Sequence, residues 1–140
     1  MEASLSKQLV IRNDVSELNR VQAFTEELEA LGMFPPSFSM QLNLVLEEAL
    51  SNIIFYAYQQ GSSHTIQVDF VALDKSLEVT ITDSGKAFDP TAKEDPDINL
   101  PAQERPIGGL GIFLIKKIMD ELSYTRKQEY NILKMKKNFD

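Results

Sequence analysis

The sequence predicts a two-layer α/β (α+β) sandwich in which three one-faced helices cover a mixed, mostly antiparallel sheet. Three observations point there. The coarse element order is β-α-α-β-β-loop-α-β-β, so strands and helices do not alternate as they would in a doubly wound fold. Residues 64–85 read as a hairpin, which imposes antiparallel pairing, and two more strand candidates close the chain. Each helical stretch keeps its apolar residues on one face, which calls for one sheet face to cover it. The 140 residues fit one domain spanning 1–140,.

The elements follow in order. "KQLVIRND" is a short β-prone run that stops at Asn13-Asp14, and Asp14 is a helix N-cap,. The helix that follows carries Val15, Leu18, Val21, Phe24, Leu28 and Leu31 as its apolar stripe and ends at Gly32,. "MFPPSF" connects to the strongest helical pattern, residues 39–61, where Leu42, Val45, Leu46, Ala49, Leu50, Ile53, Ile54 and Ala57 recur at spacings of three and four,. Gly61 closes it as a left-handed cap,. Ile66, Val68 and Phe70, then Leu77, Val79 and Ile81, alternate with polar residues and read as a hairpin turning at "LDKS",. Residues 84–107 carry four prolines and few apolar residues, the composition of a functional lid or a disordered loop,. A glycine-led helix then turns Leu114, Ile115, Ile118, Met119 and Leu122 inward, and "LSYTRKQ" and "YNILKMKK" close the chain as strands.

Composition narrows the chemistry. Fourteen Lys and Arg against 21 Asp and Glu give a net charge of −7, which argues against nucleic acid and against anionic lipid as partners. Without cysteine there is no disulfide, thiolate nucleophile or Cys-based metal site, and one histidine, His64, makes a multi-histidine site improbable,. The opening "MEASLSKQLVIRND" lacks the regions of a signal peptide, and no run approaches the roughly 18 apolar residues of a membrane span,. The sequence predicts a soluble cytoplasmic protein with a protein partner or a small ligand.

Three clusters carry possible chemistry. Glu48 and Asn52, four apart on a helix, share a face at the border of the apolar stripe,. The carboxylate suits a general base and the amide oxygen suits Mg²⁺, although the pair also fits a solvated polar face. Asp83 opens "DSGKAFDP" where a strand ends. An ionised Asp only accepts, so it would take the exocyclic amine of adenine and repel the carbonyl of guanine. The alternative is an ordinary Asp-Gly turn. Gly108, Gly109 and Gly111 open a helix whose N-terminus offers unpaired N–H groups and roughly half a unit of positive charge,. Bare backbone there admits a phosphate, and the alternative is a lid hinge.

The order of the three clusters is more specific than any of them. In "EALSN", "DSGKAFDP" and "GGLGIFLIKKIMDEL" the chain resembles the GHKL (Bergerat-fold) ATPases, and within them the anti-sigma factor serine/threonine kinases of bacterial partner switching, from about Lys7 to Lys136. The resemblance implies a histidine-kinase-like ATPase fold with an ATP lid over about 84–107. It implies Glu48 as general base, Asn52 as Mg²⁺ ligand and Asp83 as the adenine-reading carboxylate, with Gly85 giving the base room. Gly108, Gly109 and Gly111 would meet the phosphates of ATP. Arg105, at the end of the lid, would reach the terminal phosphate or stand as an exposed lid charge,. It further implies a homodimer that binds a sigma factor or an anti-anti-sigma (STAS-like) protein and phosphorylates the latter.

Two positions depart from the family. Ala87 stands where a further glycine is common, and Tyr56 where many relatives carry a histidine. His64 begins a strand and reads as structural or exposed. A nucleotide-gated binding module of the same fold competes with the kinase reading. A histidine-kinase catalytic domain is disfavoured because no helical pair with a phospho-accepting histidine precedes it, and chaperone or mismatch-repair ATPases need further domains.

Overall fold

The computed structural model describes residues 5–59, 61–87 and 109–140. Strands β1 (Leu5–Arg12), β2 (Thr65–Ala72), β3 (Ser76–Asp83), β4 (Glu121–Lys127) and β5 (Tyr130–Asn138) and helices α1 (Leu18–Ala30), α2 (Ser39–Asn52) and α3 (Gly109–Ile118) follow the order read from the sequence. The strands form one sheet in the order β1-β2-β3-β5-β4. Each of its four neighbouring pairs is antiparallel, so among the described residues the sheet is antiparallel throughout rather than mostly.

Side-chain alternation decides which face is covered. Ile66, Val68, Phe70 and Ala72 of β2 are buried, as are Leu77, Val79 and Ile81 of β3 and Leu133 and Met135 of β5. The register pairs Val68 with Ile81, Phe70 with Val79, and Ile81 with Leu133. These residues therefore share one face, and with buried residues of all three helices they form a single hydrophobic cluster. Within the helical layer α2 packs against both α1 and α3.

Asp14 caps as expected, accepting from the Ser16 N–H at 2.9 Å, but what it caps is a 3₁₀ turn, Val15–Glu17. The tighter turn shifts the phase, so Val15 faces solvent, and so does Leu31, which lies beyond the last turn of α1. Val21 and Leu28 are buried, and Phe24 sets its ring 5.7 Å from that of Phe70. In α3 the buried face is Ile112, Ile115 and, just after the helix, Met119. Leu114, expected inside, is half-buried and lies outside the core, because the inward spacing runs 112-115-119,.

The larger difference concerns α2. Its pattern predicts regular helix to Gly61, yet α2 ends at Asn52 and widens into a π-helical turn, Ile53–Ala57, before the backbone extends at Tyr58. A tertiary hydrogen bond stops the helix short of Gly61: the Ala57 carbonyl, which a continuing helix would give to residue 61, accepts from the Lys86 N–H at 2.7 Å. Gly61 is left-handed (φ 84°), but it closes the following turn rather than the helix. Gly85 completes the junction. A Cβ there would come within 2.6 Å of both the Cβ and the carbonyl oxygen of Ala57, so the glycine is required by backbone packing. Gly85→Ala is therefore expected to cost about 2–3 kcal/mol, the upper part of the overpacking range. Urea unfolding checks it, and an unchanged midpoint would show that the π-turn and the 83–87 turn do not touch.

Candidate functional site

The alternation that buries Leu77, Val79 and Ile81 carries one step further, to Asp83. This carboxylate stands on the helix-covered face, 4% exposed, at the last rung of β3 and directly opposite Asn131 of β5. A buried carboxylate needs donors. Its Oδ1 accepts from the Gly85 N–H at 2.8 Å and from Asn131 Nδ2 at 3.0 Å. Burial pushes the Asp83 pKa above the ordinary carboxylate value; the Asn131 and Gly85 hydrogen bonds and the nearby Arg126 charge offset part of that rise,.

Asn131 is itself held on every side. Its Nδ2 also donates to the Lys86 carbonyl (3.0 Å) and, at 3.3 Å, to the Gly85 carbonyl. Its Oδ1 accepts from the Tyr124 hydroxyl and from Arg126 Nη1 (3.1 Å). Arg126 Nη1 donates to the Gly85 carbonyl as well, at 2.8 Å. From the other side, the Tyr58 hydroxyl accepts from the Ser84 N–H at 2.9 Å. The turn after β3 is thus fixed by two strands and by the chain leaving α2.

A cavity of about 170 Å³ opens beside this turn, and Asn52, Ala57, Asp83, Ile112, Asn131 and Leu133 are among its walls. Its apolar walls and few convergent polar groups suit a flat heteroaromatic ligand. Asn52 Nδ2 is buried and, among the described residues, has no hydrogen-bond partner. Leaving such a donor unmet costs about 1–3 kcal/mol, which an acceptor on a ligand would recover. The amide fits a phosphate-bound hard cation: the oxygen suits the metal and the nitrogen suits a phosphate oxygen. No cluster of three His, Cys, Asp or Glu able to hold a metal exists among the described residues.

The structure brings Asn52 and Asp83 to one cavity. Glu48 lies one helical turn before Asn52, half-buried, and is not part of the cavity wall. Gly109 and Gly111 lie in the first turn of α3, next to Ile112 of the wall. Gly85 meets Ala57, which gives its missing side chain a structural reason besides the expected one. Ala87 and Tyr56 both line the cavity, Tyr56 from an exposed position at its edge. His64 is exposed, stacked 4.4 Å from the ring of Tyr58. Arg105, Gly108 and lid residues 88–107 lie outside the described residues. Sequence reasoning missed Asn131, Arg126 and Tyr124. One signal was present: Asn131 shares the phase of Leu133 and Met135, a polar residue at a core-facing position.

The family model described as histidine kinase-like ATPase domain matches residues 11–137. The chain belongs to that family. This histidine kinase-like ATPase domain is 32% identical over 92 residues to the serine/threonine-protein kinase BtrW of Bordetella bronchiseptica, covering 66% of this chain and 65% of that protein. It is 33% identical over 85 residues to the serine-protein kinase RsbW of Listeria monocytogenes, covering 58% and 54%. The domain thus spans between about half and two thirds of these curated relatives. Among solved structures, the histidine kinase domain of the Erythrobacter litoralis EL346 blue-light activated histidine kinase aligns with a TM-score of 0.55 at 20% identity, over 89% of this chain and 60% of that one. That likeness establishes the fold. Among the described residues no helix is long and apolar enough to cross a membrane.

The raised pKa of Asp83 makes a stability prediction for the ATPase domain. A carboxyl whose folded pKa exceeds its unfolded value adds stability below the unfolded pKa, and that stability is lost as pH rises through the folded one,. At neutral pH the charged form is therefore a burden on the fold. Asp83→Asn keeps an acceptor for Gly85 and Asn131, so it is expected to raise Tm at pH 7.5, by about 4 °C for each kcal/mol relieved. The gap should close as pH falls towards 4. A variant less stable than wild type at neutral pH would contradict this.

Proposed function

We propose that the domain binds Mg·ATP in the Asn52–Asp83 cavity and acts as a serine/threonine protein kinase on an anti-anti-sigma, STAS-like antagonist, while sequestering a regulatory partner such as a sigma factor. The observation that carries the reading is that an unpartnered buried amide, Asn52, and a buried acceptor, Asp83, share one small cavity. The names of the curated relatives, serine- and serine/threonine-protein kinases, support the reaction type.

In this reading Asp83 accepts from the exocyclic amine of adenine, and apolar walls such as Ile112 and Leu133 hold the ring. Asn52 would hold Mg²⁺, which would neutralise charge on the phosphates. The backbone of Gly108, Gly109 and Gly111 meets those phosphates at the N-terminus of α3, and Arg105 balances the terminal one. The lid, beyond the fixed turn at 84–87, would close the site and exclude water. Glu48 takes the proton of the incoming serine or threonine hydroxyl. As that oxygen bonds to the γ-phosphorus, the bond from phosphorus to the β–γ bridging oxygen breaks and ADP leaves with the electron pair. The new phosphate adds close to two negative charges to the partner. Facing a chain of net charge −7, it would drive the complex apart. A bacterial cytoplasmic homodimer is part of the same reading.

The alternative is nucleotide-gated binding without transfer, in which Glu48, one turn before Asn52, takes no proton. Phosphotransfer from radiolabelled ATP to a panel of STAS-domain proteins separates the two. The kinase reading expects label stable to acid and labile to base, reduced about 10²–10⁴-fold in Glu48→Gln, with ATP affinity nearly unchanged. ATP-dependent partner binding without label would establish the second reading, and absence of ATP binding would overturn both.

A further inference from the structure

We propose that Asn131 is a positioning residue that sets base specificity by fixing the single orientation in which Asp83 meets a nucleobase. The proposal rests on the reading of Asp83 as the base acceptor.

The two hydrogen bonds that hold Asp83 both end on Oδ1, from Gly85 N and Asn131 Nδ2. Oδ2 is then the oxygen left to turn towards a ligand. A carboxylate torsion is otherwise broad, so without this restraint the plane of the group would swing; its two oxygens are equivalent, and what the two donors fix is the direction in which the free one points. Asn131 cannot swap its own ends. Its Oδ1 faces two donors, the Tyr124 hydroxyl and Arg126 Nη1, while its Nδ2 faces three acceptors: Asp83 Oδ1 and the carbonyls of Gly85 and Lys86. A flipped amide would set donor against donor and acceptor against acceptor. No apolar side chain meets both sets, and an aspartate would put a second negative charge against Asp83. Held this way, Asp83 offers an ionised, one-sided acceptor. That matches an amine on the base and repels a carbonyl at the same place.

The bond from Asn131 also favours the charged form of Asp83,. The other titratable groups around Asp83 are Arg126 and Tyr124 on β4, Lys86 in the same turn, Tyr56 on the cavity wall and Tyr58, which binds the adjacent Ser84. Replacing Asn131 also frees the Tyr124 hydroxyl, while Arg126 Nη1 keeps its bond to the Gly85 carbonyl and so stays near Asp83. The pH at which the acceptor is lost should then move upward.

The test is calorimetric titration of the whole chain with Mg·ATP and Mg·GTP between pH 5 and 8, for wild type, Asp83→Asn and Asn131→Leu, which keeps the size and removes both polar atoms. The proposal expects Asn131→Leu to cut the ATP/GTP affinity ratio at least about ten-fold, the loss of one charge-assisted hydrogen bond. It also expects the fall in ATP affinity on acidification to begin at higher pH than in wild type. Titration of the phosphates themselves is common to all the proteins and cancels. An equal loss for both nucleotides with an unmoved pH profile would mean that Asn131 only packs, and would overturn the proposal. So would an unchanged ratio. In both cases ATP binding by wild type and its loss in Asp83→Asn would leave the nucleotide reading standing, whereas failure of wild type to bind ATP would remove both. Asn131→Ser, too short to reach the loop carbonyls, is judged by the same criteria if the leucine variant does not fold.

Discussion

A buried carboxylate at the end of a central strand constrains the rest of this molecule. Asp83 sits where the core-facing alternation of β3 would otherwise place another apolar residue. Its charge is tolerated only because Gly85 N–H and Asn131 Nδ2 come to it,. Both donors make demands of their own. Gly85 can approach only without a side chain, because Ala57 lies against it. Asn131 needs Tyr124 and Arg126 on the next strand to hold its far end. The short antiparallel rungs β3–β5 and β5–β4 are therefore the scaffold on which one oxygen atom is oriented.

The widening at the end of α2 belongs to the same arrangement. A regular helix keeps its carbonyls for its own amides, but the Ala57 carbonyl is taken by Lys86 N–H. That bond ties the helix bearing Glu48 and Asn52 to the turn bearing Asp83. π-Helical turns occur often at functional sites, and here the turn brings Ile53, Tyr56 and Ala57 into the cavity wall beside Asn52. The unsatisfied amide of Asn52 and the raised pKa of Asp83 are two small stability costs in one place. Both are of the kind a polar ligand would relieve.

Much of this was legible from residue order. The apolar runs of β2 and β3 and the stripe of α2 have periods that tertiary contacts reinforce, so the inward faces of all three and the extents of the two strands follow from the pattern. Asp83 and Asn52 stood out only through the order of the three motifs, since each alone also fitted an ordinary turn or a solvated face; that they share a cavity came from the fold. What failed depended on contacts distant in sequence. Nothing local stops the helix short of Gly61; the bond from residue 86 to the Ala57 carbonyl does. Val15 leaves its stripe because a 3₁₀ turn changes the phase,. Asn131, Tyr124 and Arg126 acquire meaning only through register, since it is the pairing of Asp83 with Asn131 and of Arg126 with Asn131 that assembles them. A chain read one residue at a time cannot display that pairing, although the polar residue in phase with Leu133 and Met135 hinted at it.

The most direct measurement is a carbon-13 NMR titration of the Asp83 side-chain carboxyl, with and without Mg·ATP. With no nucleotide bound, the account predicts a midpoint above the ordinary carboxylate value of 3.8. It predicts that Mg·ATP moves the midpoint down, because an amine donor on the base stabilises the ionised form. An ordinary midpoint that nucleotide leaves unmoved would contradict both the burial of the carboxylate and its role as the acceptor for the base.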